Sequence, residues 1–150
     1  MFQGLHNCLM DDKGRLAFPS PLRSALEKIG AGDTFVITQS LYDPCLVAVS
    51  EADFRAKAEQ VRQLSPSNPA VVRFKRYVIA PATIVTIDRA GRVGIPKELR
   101  EYAGVERECV WAGVIEQVEL WSKAKWDDLR RGQDAADIEK TREFLERHGL

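Results

Sequence analysis

Two nine-residue stretches, DDKGRLAFP at 11–19 and DRAGRVGIP at 88–96, hold the residues of this chain best suited to chemistry. In each, an aspartate (Asp11, Asp88) stands three places before a glycine (Gly14, Gly91) and four before an arginine (Arg15, Arg92). An aspartate at the head of a turn accepts a backbone N–H two residues on. A glycine there takes the positive φ that a tight turn demands. Asp11, Gly14, Asp88 and Gly91 thus read as turn builders. No turn requires the arginines. A guanidinium is planar and permanently charged, and it offers paired donors to a phosphate or to guanine O6/N7. Lys13 adds a cation to the first stretch and Arg89 to the second. These four, Lys13, Arg15, Arg89 and Arg92, are the candidate DNA-binding residues. Arg23, Lys97 and Arg100 follow close behind and could reach flanking phosphates, although a solvated helix face explains them equally well.

Other chemistries find less support. Asp11 and Asp88 could form a carboxylate pair, but nearby cations keep each ionised, and a general acid needs a raised pKa. No Walker motif, dinucleotide fingerprint, nucleophile elbow or zinc signature occurs. Cys8, Cys45 and Cys109 are odd in number, far apart in sequence and without a CxxC, which reads as buried thiols in a reducing compartment. His6 and His148 stand alone at opposite ends. The expectation is no catalysis, no metal and no cofactor.

The totals are those of a globular chain, 45% hydrophobic and 29% charged over 150 residues. Neither a signal peptide nor an apolar run of membrane length is present, so a cytoplasmic location is expected. Formal net charge is zero. Residues 51–110 carry eleven Lys/Arg against eight Asp/Glu, whereas both flanks lean acidic. Any nucleic-acid contact must come from a local patch.

The paired stretches sit inside a longer repeat. Leu22 and Arg23 meet Leu99 and Arg100 at the offset of 77 that relates Asp11 to Asp88. Downstream the offset shrinks: DTFVITQ faces ECVWAGV, and LVAVSEADF (46–54) faces VELWSKAKW (118–126). Each half reads as strand, turn, short strand, short helix, two apolar strands and a helix opened by Ser50 or Ser122. Ser20 before Pro21 reads as an N-cap, and Gly104 as a helix stop. The halves span 1–64 and 70–131, with SPSNP at 65–69 as linker. Residues 132–150 form a terminal helix whose stripe of Ile138, Thr141, Phe144, Leu145 and His148 is expected to pack on its own domain, with a neighbouring subunit as the alternative. A half of 50–60 ordered residues buries too little to stand alone. Two halves sharing one core with approximate two-fold symmetry, a fused dimer, would resolve that.

The paired Asp-x-x-Gly-Arg phrases, the opening MFQG, the LR after each phrase and VELWSKAKWDDL together resemble the MraZ family over roughly residues 1–131. The resemblance implies an α+β, mainly β fold of two AbrB-like swapped-hairpin β-barrel halves forming an intrachain pseudo-dimer with short peripheral helices. It also implies a nucleoid-associated transcriptional regulator that assembles as a homo-oligomeric ring. Such a ring would bind short direct repeats in double-stranded DNA at its own promoter, ahead of the division and cell-wall genes, with Arg15, Arg92 and Lys13 as contacts. Two departures stand out. Gln3 replaces a residue that is often basic in the family, and Arg89-Ala90 moves the second cation one place earlier than Lys13. The alternative is an antitoxin-like or other protein-binding module of AbrB fold, with residues 134–150 as its clamping tail.

Overall fold

Strands and helices follow one another in two runs of the same order. The computed structural model describes residues 1–150. The first run is β1 (Phe2–Leu9), β2 (Arg15–Ala17), α1 (Ser20–Lys28), β3 (Thr34–Gln39), β4 (Leu46–Val49) and α2 (Glu51–Arg62). A bridge of α3 (Pro69–Phe74) and a π-helical turn (Lys75–Ile79) leads to the second run. That run is β5 (Thr83–Thr86), β6 (Arg92–Gly94), α4 (Lys97–Ala103), β7 (Glu108–Ile115), β8 (Val118–Ser122) and α5 (Lys123–Arg131). Helix α6 (Ala135–Arg147) closes the chain. No helix is long and apolar enough to cross a membrane.

Local signals account for most of these ends. Ser50 Oγ accepts from the Asp53 amide at 3.0 Å and Ser122 Oγ from the Lys125 amide at 3.1 Å, which caps α2 and α5. Gly104, at φ 65°, ends α4 in the left-handed region. Ser20 does not cap α1. The Pro19 carbonyl already accepts from the amides of Leu22 and Arg23, both at 3.0 Å, so Pro19 holds the cap position and Ser20 lies inside the helix.

The main sheet is wholly antiparallel, in the order β1-β7-β8-β4-β3-β5. Exchanging the two halves turns that order into its own reverse. Each half lends its first strand to the other: β1 pairs with β7, and β5 pairs with β3. At the centre β4 meets β8 with Val47 opposite Glu119. A separate ribbon pairs β2 with β6, with Leu16 opposite Val93. These ladders do not close into a barrel. β1 and β5 lie at opposite edges, and β2 and β6 pair with each other instead of joining them.

The ladders also correct the register of the repeat. Thr34 stands opposite Thr86 and Glu108 opposite Leu9, so Glu108 corresponds to Thr34, not to Asp33. Ile37 then matches Trp111, and both are completely buried. A slip of one residue would have turned one of these side chains to the other face.

One core of 21 buried residues draws on both halves. At its middle Phe18 stacks on Phe35, with ring centroids 5.0 Å apart, and meets Trp111 edge-on at 5.2 Å. Trp111 Nε1 donates to the Ala17 carbonyl at 3.0 Å, which ties the β2–β6 ribbon to the sheet. Two of the cysteines are far apart in sequence only. Cys8 lies directly opposite Cys109, and its thiol donates to the Cys109 carbonyl at 3.7 Å. All three are free thiols, and burial pushes Cys45 up to about 12.

Helix α6 departs from expectation. Every residue in it is exposed, the Ile138, Phe144 and Leu145 stripe included. The break at Gly132–Asp134 carries it off the domain. It is sustained by its own Asp134 cap on the Ala136 amide, 2.9 Å, and by Arg142 bridging Glu139 and Glu146.

Candidate nucleic-acid interface

The two turns share one hydrogen-bonding scheme. Asp11 Oδ1 accepts from the amides of Lys13 and Arg15, each at 2.9 Å, and Asp88 Oδ1 from those of Ala90 and Arg92, each at 2.9 Å. The Gly14 and Gly91 amides close each turn onto the aspartate carbonyl at 3.1 and 2.9 Å, with φ at 75° in both. Oδ2 of each aspartate takes the arginine Nε, at 2.8 Å for Arg15 and 3.3 Å for Arg92. The carboxylate therefore builds the turn and also aims the guanidinium.

These contacts hold both carboxyls below their ordinary range. The leading cause is the backbone N–H of Arg15 for Asp11 and of Arg92 for Asp88, with the neighbouring amides and the guanidinium adding to it. Both groups stay ionised, which suits neither to be a general acid. A carboxyl with a depressed folded pKa lends stability that is present above its unfolded value, 3.8, and is lost as pH falls through the folded value. The Asp11→Asn/Asp88→Asn pair keeps a side-chain oxygen to accept from the backbone amides and removes the titration. Its melting temperature is expected to fall less than the parent's between about pH 5 and pH 2. Thermal melts across that window check this, and parallel curves would show that the acid sensitivity lies elsewhere.

The turns brace one another. The Phe18 amide donates to the Gly91 carbonyl, and the Ile95 amide to the Gly14 carbonyl, both at 2.9 Å. Between them Arg15 stands opposite Gly94, and Ala17 opposite Arg92. Leu16 and Val93 face the core at 1% exposure, so alternation puts Arg15, Ala17, Arg92 and Gly94 on the outer face. Arg15 and Arg92 are then diagonal neighbours, about 7–8 Å apart at the backbone. Their side chains are 36% and 40% exposed. Lys13 and Arg89 are exposed at the loop tips and make no ion pair. Arg15 and Arg92 thus share the outer face of the ribbon, with Lys13 and Arg89 exposed in the loops that lead into its two ends.

The surrounding cations are less symmetric. Arg23 is tied to Asp33 at 2.9 Å, and Lys97 lies 3.8 Å from Glu101 on its own helix. Arg100, the counterpart of Arg23, makes no ion pair. Its guanidinium covers Gly14 so closely that a Cβ there would sit 2.7 Å from Arg100 Cζ. The counterpart of Asp33 is Arg107: the Asp33 carbonyl accepts from the Ile87 amide as the Arg107 carbonyl does from Met10. Sequence reading passed over Arg107 because the one-residue slip set Glu108 in that place. A hollow of about 440 Å³ among Thr38, Tyr42, Phe54 and Phe74 is lined by no residue of these loops.

Aimed, partly exposed guanidinium groups on the outer face of the ribbon can bind oxyanions, and their spacing suits a polyanion better than a single small ligand. Comparison with known proteins agrees with the twofold plan. A family model described as "MraZ protein, putative antitoxin-like" matches residues 1–77 and again residues 78–147. A transcriptional regulator MraZ of Thermomicrobium roseum is 43% identical over 126 residues, 84% of each chain. Proteins of the same name from Pediococcus pentosaceus and Lachnoclostridium phytofermentans are 40% and 36% identical over 85% of each chain. Matched once by each of its interlocked halves, and by relatives over most of its length, the chain belongs to the MraZ family.

Proposed function

We propose that this chain is a sequence-specific DNA-binding transcriptional regulator. It reads short direct repeats in its own promoter, ahead of the division and cell-wall genes, by means of Lys13, Arg15, Arg89 and Arg92. The observation that carries the reading is the outward diagonal pair of Arg15 and Arg92, each aimed by its own aspartate. The relatives' shared name, transcriptional regulator, supports it. The halves are AbrB-like swapped-hairpin units, a reading supported by the exchange of β1 and β5 between them.

A chain of zero net charge needs help to hold DNA. Each cation–phosphate contact is sequence-blind and salt-sensitive, and two to four per subunit give weak binding. Assembly into a nucleoid-associated homo-oligomeric ring supplies the remainder. Once one subunit holds a repeat, the next repeat is presented at high effective concentration, which strengthens binding by roughly 10²–10⁴-fold. Mobility-shift assays on duplexes with one, two and three repeats from the upstream DNA test this. Affinity is expected to climb steeply with repeat number; equal affinity for all three would overturn the reading.

A further inference from the structure

Pseudo-symmetry makes each half a control for the other, and at one place the control fails. In the first half Arg23 is neutralised by Asp33 at 2.9 Å, and nothing lies above Gly91, the glycine of the opposite turn. In the second half Arg107 stands where an acid would be, so Arg100 has no carboxylate to meet. It lies instead across Gly14, which is buried beneath it, whereas Gly91 is partly open. This pose leaves Arg100 Nε buried without a hydrogen-bond partner. Leaving a charged donor unsatisfied costs free energy, and lifting the guanidinium to an outside oxyanion would recover it.

We infer that Arg100 is a further phosphate-binding residue, which clamps the DNA backbone at the Lys13–Arg15 loop and makes the two motif ends unequal. The inference rests on the DNA-binding reading above. The inequality is one of arrangement, not of net charge. The first end has Asp12 and Lys13 at its tip and Arg100 at its foot. The second has Arg89 at its tip and a neutralised Arg23 at its foot. A symmetric tip would accept a DNA element in either direction, as two-fold proteins accept palindromes. A tip with one free clamp fixes the direction, as a non-palindromic repeat requires.

The test uses the full chain and a duplex from the DNA upstream of its own gene, with affinity measured between 50 and 200 mM salt. Arg100→Ala is expected to weaken binding about five- to tenfold and to lower the salt slope by about 0.9, the mark of one lost phosphate contact. Arg23→Ala is expected to change affinity less than twofold. Methylphosphonate linkages at one end of the repeat should weaken the parent but not Arg100→Ala. If Arg100→Ala melts early, Arg100→Gln and Arg100→Lys carry the measurement: the first loses the slope increment and the second keeps it. Equal affinity and slope for parent and Arg100 variants, or equal losses at Arg23 and Arg100, would overturn the inference. Should Arg15→Ala abolish binding while the Arg100 variants bind normally, the DNA reading stands and only the clamp falls. If the parent fails to bind the duplex, both fall.

Discussion

Arg15→Ala is expected to lose promoter binding while keeping its fold. The side chain lies on the outer face of β2, and its one partner is Asp11 across a partly exposed pair. Removing it leaves Asp11 with both backbone donors, so the turn persists. Surface changes of this kind rarely move stability far, and the melting temperature should stay within about 2 °C. Binding is another matter. One bidentate guanidinium contact carries about 1–3 kcal/mol of discrimination. In the proposed ring every engaged subunit would lose it together, so affinity for a multi-repeat duplex should drop at least about a hundredfold. Arg92→Ala should behave alike. A mobility-shift titration with a thermal melt of the same sample checks both statements. Retained affinity would remove Arg15 from the interface.

Trp111→Ala should have the largest effect on stability. The side chain is completely buried, meets Phe18 edge-on, and donates to the Ala17 carbonyl. Truncating a buried tryptophan costs about 3–5 kcal/mol, a large share of the roughly 5–15 kcal/mol that holds a domain together. At about 2–4 °C per kcal/mol the melting temperature should fall by roughly 6–20 °C. Because the Nε1 donor anchors the strand that carries Arg15, DNA affinity should weaken alongside. Trp111→Phe separates the two roles: it keeps most of the packing but leaves the Ala17 acceptor unpaired, so its loss should be intermediate. Urea midpoints for the three proteins decide this, and a Trp111→Ala midpoint near the parent's would contradict the placement of the core.

What the sequence disclosed was local. The Asp-x-x-Gly-Arg turns, the Ser50 and Ser122 caps and the Gly104 stop each depend on neighbours within about four residues, so their signals survive in a single chain. The patch of Arg15 and Arg92 was legible because the repeat implied two-fold packing. Strand partners were not. Nothing near Cys8 in sequence says that it faces Cys109 across the sheet, and the two cysteines looked unrelated for that reason. The register of β3 against β7 was missed by one residue, since TFVIT and CVWAG are apolar on both faces and alternation cannot fix a strand buried on both sides. That slip hid Arg107. The α6 stripe misled in the opposite direction: helical periodicity shows that a face is apolar, not that anything covers it.

The crossed pairing of β1 with β7 has a cost during synthesis. Phe2–Leu9 leaves the ribosome well before its partner, which begins at Glu108. At about 5–20 residues per second, an open strand edge waits roughly 5–20 s for its complement. Nascent chains crowded on one message would present the same edge and the same vacancy to each other, and intermolecular exchange at that step would yield interlocked polypeptides that no later equilibrium readily separates.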